Sequence, residues 1–413
     1  MARQAGKHAL TFIFFTVLID TIGFGVVMPV MPKLLMSMTG ENAADVTLIA
    51  GFLLTTYAAL QFVCGPIMGN LGDRFGRRPV LLGSLAAFSL DYLLMGFAPT
   101  IGWLFLGRAV AGVAGAVYSP AMAYIADVSP PEKRAQSFGI VGAAFGVGFI
   151  LGPALGGVIG ELGPRAPFFV ASALALLNFA YGTFVLPESL PADHRRTFEW
   201  KRANPLGTLM ALRRYPAVIS LVGAVFLWQL GHQVYPSTWS FFAKIRFNWS
   251  EAQIGLSLAF VGVLMAITQG YLTGKIVRRL GEQRTIVLGV CSGVAGMLGL
   301  AFATQSWIAF VALALGGLQG LTYPSMNAIM SKKVPPNEQG ELQGGLASMM
   351  SLTTILGPLL MTQILGRFSG AGAPIYFPGA AFLLAAILAT LSLLIVLRSL
   401  APASALPEAE RAG

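Results

Sequence analysis

Long apolar stretches separated by short polar segments recur along the whole chain. Each is long enough to cross ~30 Å of hydrocarbon, which takes roughly 20 helical residues. The pattern predicts a first set of spans near residues 9–32, 48–70, 79–99, 101–126, 136–160 and 166–186. After a polar stretch it predicts a second set near 216–241, 252–274, 285–304, 306–330, 341–366 and 374–397. The sequence therefore predicts an all-α membrane protein with twelve transmembrane helices.

The two sets of spans are related by an internal repeat with a single gap-free offset of 205 residues, the difference between Gly76 and Gly281. Two six-helix halves related in this way can expose a central site alternately to each side of a membrane. We therefore predict an N-terminal bundle at 1–186, a cytoplasmic linker at 187–215, a C-terminal bundle at 216–399 and a disordered tail at 400–413. Further matches at the same offset are Gly69 with Gly274, Arg74 with Arg279, Gly112 with Gly317, Gly115 with Gly320, Tyr118 with Tyr323, and Gly152-Pro153 with Gly357-Pro358.

The composition is typical of a membrane protein, and the predicted topology accounts for the net positive charge of the chain. Hydrophobic residues make up 55% of the chain and charged residues 11%, which excludes an ordinary water-soluble domain. The formal net charge is +10. Lys and Arg near span ends are retained on the cytoplasmic side, and placing both termini in the cytoplasm puts most of the 27 Lys and Arg residues there. The exceptions are Lys33, Arg165, Lys244, Arg246 and Arg367 on the other side, and Arg108 within a span.

Several classes of function are disfavoured by the residues present. No basic face with interleaved aromatic residues is visible, so we expect no nucleic-acid partner. Cys64 and Cys291 both fall in apolar segments, which does not indicate a disulfide framework. The chain has three histidines, of which only His232 lies within a span, and no metal or nucleophile cluster is visible. We therefore expect no enzyme, no catalytic residues, no metal and no cofactor.

The connection after the second span reads Gly69-Asn70-Leu71-Gly72-Asp73-Arg74-Phe75-Gly76-Arg77-Arg78. Asp73 at the membrane surface can accept hydrogen bonds from a helix N-terminus in the opposite half, where an anion is favoured. The arginines can pair with Asp127 at the end of the fourth span. Such a cluster would hold one face closed in one state and release it in the other. The alternative is a basic anchor with a tight turn. The candidate gating residues here are Gly69, Asp73, Arg74, Gly76, Arg77, Arg78 and Asp127.

The fifth span carries a second glycine motif, from Gly146 to Gly157, with Pro153 inside it. Glycines at this spacing leave a groove for a neighbouring backbone, and a proline removes one helical hydrogen bond. The motif predicts conformational roles for Gly152, Pro153, Gly156 and Gly157, and the alternative is an ordinary packing seam.

Ionisable residues at membrane depth are functional candidates because they are costly unless paired or hydrated. Asp20, Asp91, Arg108 and His232 lie within predicted spans. Burial disfavours a charged carboxylate and a nearby arginine favours it, so an aspartate whose access to Arg108 changes with conformation can take up and release a proton. The alternative for each aspartate is a static ion pair. For His232 a hydrogen-bonded position in the bundle is favoured over a proton carrier.

These motifs resemble known ones. The 69–78 connection resembles the signature loop of the major facilitator superfamily, and the fifth-span motif is similar to that of its proton-coupled exporters. Most of the chain resembles the tetracycline/proton antiporters. The likeness is carried by Leu18 to Gly25, Met28-Pro29, Tyr57 to Phe62, Asp91-Tyr92, Gly107-Arg108, Ala123 to Asp127, Leu186 to Ser189, Trp239, Arg246-Phe247 and Gly340 to Gly344.

The resemblance implies two pseudo-symmetric bundles in a bacterial inner membrane, with Asp20 and Asp91 on the substrate and proton pathway. It also marks polar contacts for a substrate at Gln61, Gln229, Gln233 and Gln269, to which we add His232 and Met265. Met265 and Gly293 depart from the family, whose exporters carry a histidine and an aspartate there, so we expect a shifted substrate preference.

We therefore expect a monomer that exports an amphipathic drug-like compound, tetracycline-like or related, in exchange for protons, with a role in antibiotic resistance. The alternative is uptake or exchange of a small metabolite by the same fold.

Overall fold

The computed structural model describes the backbone of residues 2–116, 118–130, 134–198, 216–335 and 338–400. Within these ranges, it does not describe the side chains of 2–10, 12, 20, 118, 119, 134–136, 138, 216, 217 and 400. Most of the predicted linker and tail lies outside the described residues.

The described residues fold into helices joined by short turns. The first half contains α1 (Ala2–Val27), α2 (Met31–Thr39), α3 (Thr47–Phe75), α4 (Arg77–Phe97), α5 (Ile101–Gly115), α6 (Tyr118–Val128), α7 (Arg134–Gly160) and α8 (Ala166–Val185). The second half contains α9 (Pro216–His232), α10 (Val234–Phe247), α11 (Glu251–Ile267), α12 (Thr273–Phe302), α13 (Ser306–Leu315), α14 (Thr322–Lys332), α15 (Gln339–Ser369) and α16 (Ala380–Leu400). A π-helical segment, Thr268–Leu272, connects α11 to α12, and a 3₁₀ segment, Gly316–Leu321, connects α13 to α14.

The prediction of twelve spans is confirmed within the described residues. Ten helical stretches are long and apolar enough to cross a membrane, or eleven when α1 and α2 count as one bent span. One stretch, Glu251–Phe302, has 52 residues and would be about 78 Å long as a single helix. It is interrupted at Gly281, where φ is 74° and ψ is 167°. This stretch is therefore two spans that meet at Gly281. Counting it as two raises the number of spans from eleven to twelve.

The internal repeat is visible in the helix boundaries. Gly76 separates α3 from α4 with a φ of 103°, and Gly281 occupies the matching position with a φ of 74°. Both values lie in the left-handed region that glycine adopts without a steric penalty. Pro153 and Pro358, which also match, each lie inside a long helix. The two halves therefore share the glycine at this turn and the proline inside the matching helix.

The predicted spans are present, but four of them are not continuous helices. The spans predicted at 9–32, 101–126, 216–241 and 306–330 are each interrupted, and α2 bends 46° away from the end of α1. Each interruption lies at or next to the residue four positions before a proline, because proline has no N–H to donate to that carbonyl and its ring clashes with it. The pairs are Pro32 with Met28, Pro120 with Ala116, Pro236 with His232, and Pro324 with Gly320.

The two halves contact each other near one face of the membrane. We call the side with Gly76 and Gly281 the Arg77 face and the opposite side the Lys33 face. Helix α7 packs on α11, and α3 packs on α15. The close approaches within these pairs lie toward the Lys33 face, as between Gly157 and Gly255. At the other end of α7, Gly139 has open space at its Cα. The structure is thus closed at the Lys33 face.

Candidate transport site

A buried ion pair lies within the first half. Arg108 of α5 places Nη2 3.2 Å from Oδ2 of Asp91 on α4. Asp91 is 0% exposed and Arg108 is 6% exposed. Since an unpaired charge at membrane depth is costly, each group requires the other. Asp91 and Arg108 are therefore paired in this conformation, and their role in proton coupling stays a prediction.

Neighbouring side chains fix the position of Arg108. Its Nη2 also lies 2.9 Å from Sδ of Met95, and its guanidinium carbon lies 5.8 Å from the centre of the Tyr57 ring. Two polar atoms of the pair have no hydrogen-bond partner, namely Nε of Arg108 and Oδ1 of Asp91. The pair is therefore joined by one hydrogen bond, and one further donor and one further acceptor atom of the pair remain without a partner.

Asp20, the other predicted proton-coupling residue, lies in α1. Its side chain is outside the described residues, so its predicted role stays a prediction. One turn further along α1, the backbone of Gly23 lies against the Tyr92 ring of α4. Helix α1 therefore packs close to the helix that carries Asp91.

The predicted glutamines occupy different places. Gln61 donates to the carbonyl of Gly115 at 3.0 Å and to the Tyr57 hydroxyl at 3.2 Å, so it ties α3 to α5 inside the first half. Gln233 lies between α9 and α10 and packs against the backbone of Gly357. Gln229 is half-buried on α9, and Gln269 is exposed in the π-helical segment. The four glutamines therefore belong to separate elements, and their role in substrate contact stays a prediction.

His232 belongs to an aromatic stack in the second half. Its ring stacks on Trp228 with centroids 5.6 Å apart and meets Tyr235 edge-on at 5.2 Å. Its Nδ1 is buried without a hydrogen-bond partner, so the expectation that this histidine is hydrogen-bonded is not met at that atom.

The two departures from the family pattern have different surroundings. Met265 is half-buried on α11. At Gly293, an added Cβ would lie 2.8 Å from the Trp228 ring and 3.3 Å from Cβ of Gln319. Trp228 therefore occupies the space that a larger side chain at position 293 would need.

The signature loop forms a charge cluster on the Arg77 face. Arg77 pairs with Asp73 at 2.5 Å and lies 3.7 Å from Asp127, so the predicted pairing of an arginine with Asp127 is confirmed. Both contacts lie within the first half. Contact of Asp73 with the opposite half stays a prediction. Arg74 is exposed, with its guanidinium carbon 5.0 Å from the centre of the Phe75 ring.

Glu188, which the sequence analysis did not select as a site residue, completes this cluster. Its carboxylate accepts the backbone N–H of Arg77 at 2.8 Å and that of Arg78 at 3.3 Å. These are the first N–H groups of α4, which have no partner within the helix and attract an anion. Ser189 donates to Asp127 at 3.0 Å. Glu188 and Ser189, at the start of the linker, thus hold the signature loop in place through these hydrogen bonds. The signal in the sequence was the acidic residue directly after the sixth span.

The glycine motif of α7 serves two contacts. A Cβ added at Gly152 would lie 2.8 Å from the Ile22 carbonyl, and Gly156 likewise packs against α1 at Val26. A Cβ at Gly157 would instead lie 2.5 Å from the Glu251 carbonyl, in the other half, and the Pro153 carbonyl lies against Gly255. The predicted packing groove is present, and one of its sides is the interface between the halves.

A polar contact at the Lys33 face was also missed by the sequence analysis. Lys33 Nζ lies 3.2 Å from Oε2 of Glu251, and Lys244 lies 4.0 Å from the same carboxylate. Glu161 accepts the backbone N–H of Ala252 at 3.1 Å. This bond, with the hydroxyl of Ser250, lowers the pKa of Glu161 below its usual value. Residues from both halves therefore close this face.

Two repeated helical halves, the first of which contains a buried Asp–Arg pair, define the chain as a multi-pass membrane transport protein. A family model described as Major Facilitator Superfamily matches residues 13–344 and 247–412. The chain belongs to the Major Facilitator Superfamily.

Relatives and a solved structure extend this finding. The chain is 41% identical over 358 residues to tetracycline resistance protein, class C, of Escherichia coli, with 87% of this chain and 90% of the relative covered. It is 39% identical to the class G protein of Vibrio anguillarum, with 86% and 89% covered. A bacterial homolog of the human lysosomal transporter Spinster, solved in an inward-facing and unoccupied conformation, superposes with a TM-score of 0.73 at 17% identity, covering 96% of this chain and 97% of that one. The last likeness supports the fold alone.

Proposed function

We propose that this protein exports an amphipathic, drug-like compound, tetracycline-like or related, in exchange for protons by alternating access. The observation that carries the proposal is the buried Asp91–Arg108 pair in a chain that resembles tetracycline resistance proteins over most of its length. A carboxylate at membrane depth that exchanges one cationic partner for a proton couples a gradient to a change of conformation.

In this proposal the Arg77 face is cytoplasmic, because most Lys and Arg residues lie there. The protein then has both termini in the cytoplasm and lies in a bacterial inner membrane as a monomer. It uses the proton gradient and needs no cofactor, metal or covalent chemistry. A proton that enters from the Lys33 face binds Asp91 and releases Arg108. Cargo that binds from the Arg77 face restores the Asp91–Arg108 bond and drives the proton out to the cytoplasm.

The test is proton release from everted membrane vesicles that hold a proton gradient. Addition of tetracycline or another amphipathic drug should discharge part of the gradient in vesicles with the wild-type protein. Asp91→Asn should abolish this response while the protein remains inserted, and Asp193→Asn, an exposed linker residue, should not. An unchanged gradient across a broad drug panel would overturn the proposal. Accumulation of a labelled nutrient in intact cells would favour uptake instead.

A further inference from the structure

An open groove lies on the outer surface of the first half. Its volume is about 620 Å³, within the range of roughly 300–1,000 Å³ typical of ligand pockets. All of its lining residues belong to α3, α4 and α5, so it is separate from the space between the two halves. Gly83 and Val113 of this lining are exposed. The groove therefore opens to the surroundings of the bundle, which in a membrane are lipid.

Helix α5 forms the floor of the groove, and α3 and α4 form its walls. Helix α5 packs on both of these neighbours. The wall on α4 includes the small residues Gly83 and Ala87, and a Cβ added at Gly83 would have no neighbouring atom within 4 Å. The floor consists of four residues at the spacing of one helical face, namely Ala109, Val110, Val113 and Ala114. The groove can therefore hold a narrow chain along the direction of the helices.

The lining is suited to hydrocarbon. The hydroxyl of Ser84 donates to the Ala114 carbonyl at 2.7 Å, so it is already used within the protein. The other lining side chains are aliphatic or thioether. A surface of this kind holds an alkyl chain through many small dispersion contacts and has no polar group that would fix a polar ligand.

A basic side chain lies where the groove approaches the Arg77 face. From Leu60 in the groove to Arg74, α3 rises about 21 Å, roughly half of the 40–45 Å that a bilayer measures with its headgroup regions. Arg74 is exposed, and its guanidinium carbon lies 5.0 Å from the centre of the Phe75 ring. Among the described residues Arg74 has no ion-pair partner, since the adjacent Asp73 pairs with Arg77. Its N–H groups can therefore donate to a phosphate.

We propose that this groove holds one acyl chain of an anionic phospholipid whose phosphate binds Arg74. Basic residues at a membrane surface attract anionic lipids, and the distance from groove to guanidinium matches one leaflet. A second copy of this chain fits less well, because in the same orientation it would bring its own Arg74 to the same level and repel the first. The bound lipid would contact α3, α4 and α5 next to the signature loop. The proposal does not depend on which compound is transported.

The test uses native mass spectrometry of the purified full-length protein in detergent. Phosphatidylglycerol or phosphatidylcholine with the same acyl chains is added, and the lipids that stay bound are counted. The wild type should retain one phosphatidylglycerol in preference to phosphatidylcholine. Arg74→Gln should weaken phosphatidylglycerol binding about fivefold, the effect of one basic residue at an anionic membrane surface, and phosphatidylcholine binding less than twofold. Gly83→Leu fills the groove and should weaken binding of both lipids.

Matched variants separate the groove from charge and bulk in general. Arg279 is exposed at the position of the second half that matches Arg74, so Arg279→Gln should leave binding unchanged. Gly142→Leu adds the same bulk in open space on α7 and should also change nothing. Equal losses in Arg74→Gln and Arg279→Gln, or unchanged binding in Gly83→Leu, would overturn the site. A dimer without bound lipid that Gly83→Leu dissociates would also overturn it, since the occupant would then be a second copy.

Discussion

The ammonium group of Lys33 lies 3.2 Å from the carboxylate of Glu251 and thereby joins the first half to the second. Lys33 belongs to α2, the short helix bent away from α1, and Glu251 is the first residue of α11. The Glu251 side chain is only 5% exposed, whereas that of Lys33 is 40% exposed. This pair can form only while the Lys33 face is closed, so it selects one conformation over the other.

Loss of this pair should shift the conformational equilibrium. Lys33→Gln is expected to favour opening of the Lys33 face by about 1 kcal/mol, a roughly fivefold change in the ratio of the two states, because partly exposed ion pairs contribute at most about this much. The measurement is the distance distribution between spin labels at Glu41→Cys and Thr304→Cys, two exposed positions of opposite halves near this face, in a background with Cys64 and Cys291 replaced by Ser.

Lys244→Gln provides the matched control. Lys244 also lies near Glu251, at 4.0 Å, but belongs to the same half. Its removal should leave the distance distribution close to that of the wild type. If both lysine variants shifted the distances equally, or if Lys33→Gln did not change them, the Lys33–Glu251 pair would not stabilise the closed state.

Glu161 should make closure of the same face dependent on pH. The bond from the Ala252 N–H lowers the pKa of Glu161 in the closed state. A lowered pKa means that the closed state favours the ionised carboxylate, so its contribution is present above the usual glutamate pKa and is lost as pH falls through the lowered value. The labelled protein should therefore open progressively as the pH falls below the usual glutamate pKa of about 4.3.

Glu161→Gln isolates this residue from other acids. The variant should be more open than the wild type at neutral pH and should lose part of the pH response. A pH response identical to that of the wild type would show that Glu161 is not the group responsible.

Much of the fold followed from the sequence because hydropathy and the repeat act over long stretches. The match of Gly76 with Gly281 anticipated two turns that share a left-handed glycine. The helix interruptions were missed because hydropathy does not register a lost backbone hydrogen bond. Counting back four residues from Pro120 or Pro236 gives the positions of two interruptions, but the same count from Pro153 or Pro358 falls inside a continuous helix.

The candidate site was less predictable for a different reason. Asp91 and Arg108 stood out because charges are rare at membrane depth. Glu188, Glu161, Lys33 and Glu251 lie at helix ends, where charged residues are common and carry no distinctive pattern. Their roles arise from contacts between residues far apart in the chain, and a single sequence does not record which of them meet.

Removing one member of the buried ion pair should destabilise the protein more than removing both. Asp91→Asn leaves the Arg108 charge unpaired in the bundle and is expected to cost about 3 kcal/mol. The double variant Asp91→Asn with Arg108→Gln should recover much of this stability without recovering drug-dependent proton release. Thermal unfolding in detergent, followed by tryptophan fluorescence, measures the first effect and everted vesicles the second. Equal melting temperatures for the single and double variants would contradict the pairing.

Glu188 should stabilise the first turn of α4 and slow the hydrogen exchange of its amides. Glu188→Gln removes the anion that accepts the N–H groups of Arg77 and Arg78 and is expected to weaken this helix start by about 1 kcal/mol. Hydrogen exchange of a peptide that covers residues 76–80 should accelerate about fivefold. Asp193→Asn, a change at an exposed linker carboxylate, is the control and should leave exchange unchanged. No acceleration in Glu188→Gln would mean that the carboxylate does not hold the turn.

The contact between α7 and α11 should tolerate no side chain at Gly157. Gly157→Ala places a methyl group 2.5 Å from the Glu251 carbonyl, and relief of such crowding typically costs about 1–3 kcal/mol. Because this contact joins the halves at the Lys33 face, the ratio of closed to open states should decrease by roughly 5- to 150-fold. The same spin-label pair measures this ratio. Gly139→Ala on the same helix adds a methyl group into open space and should change nothing. If Gly157→Ala stayed as closed as Gly139→Ala, the close approach of these two helices would not hold the face shut.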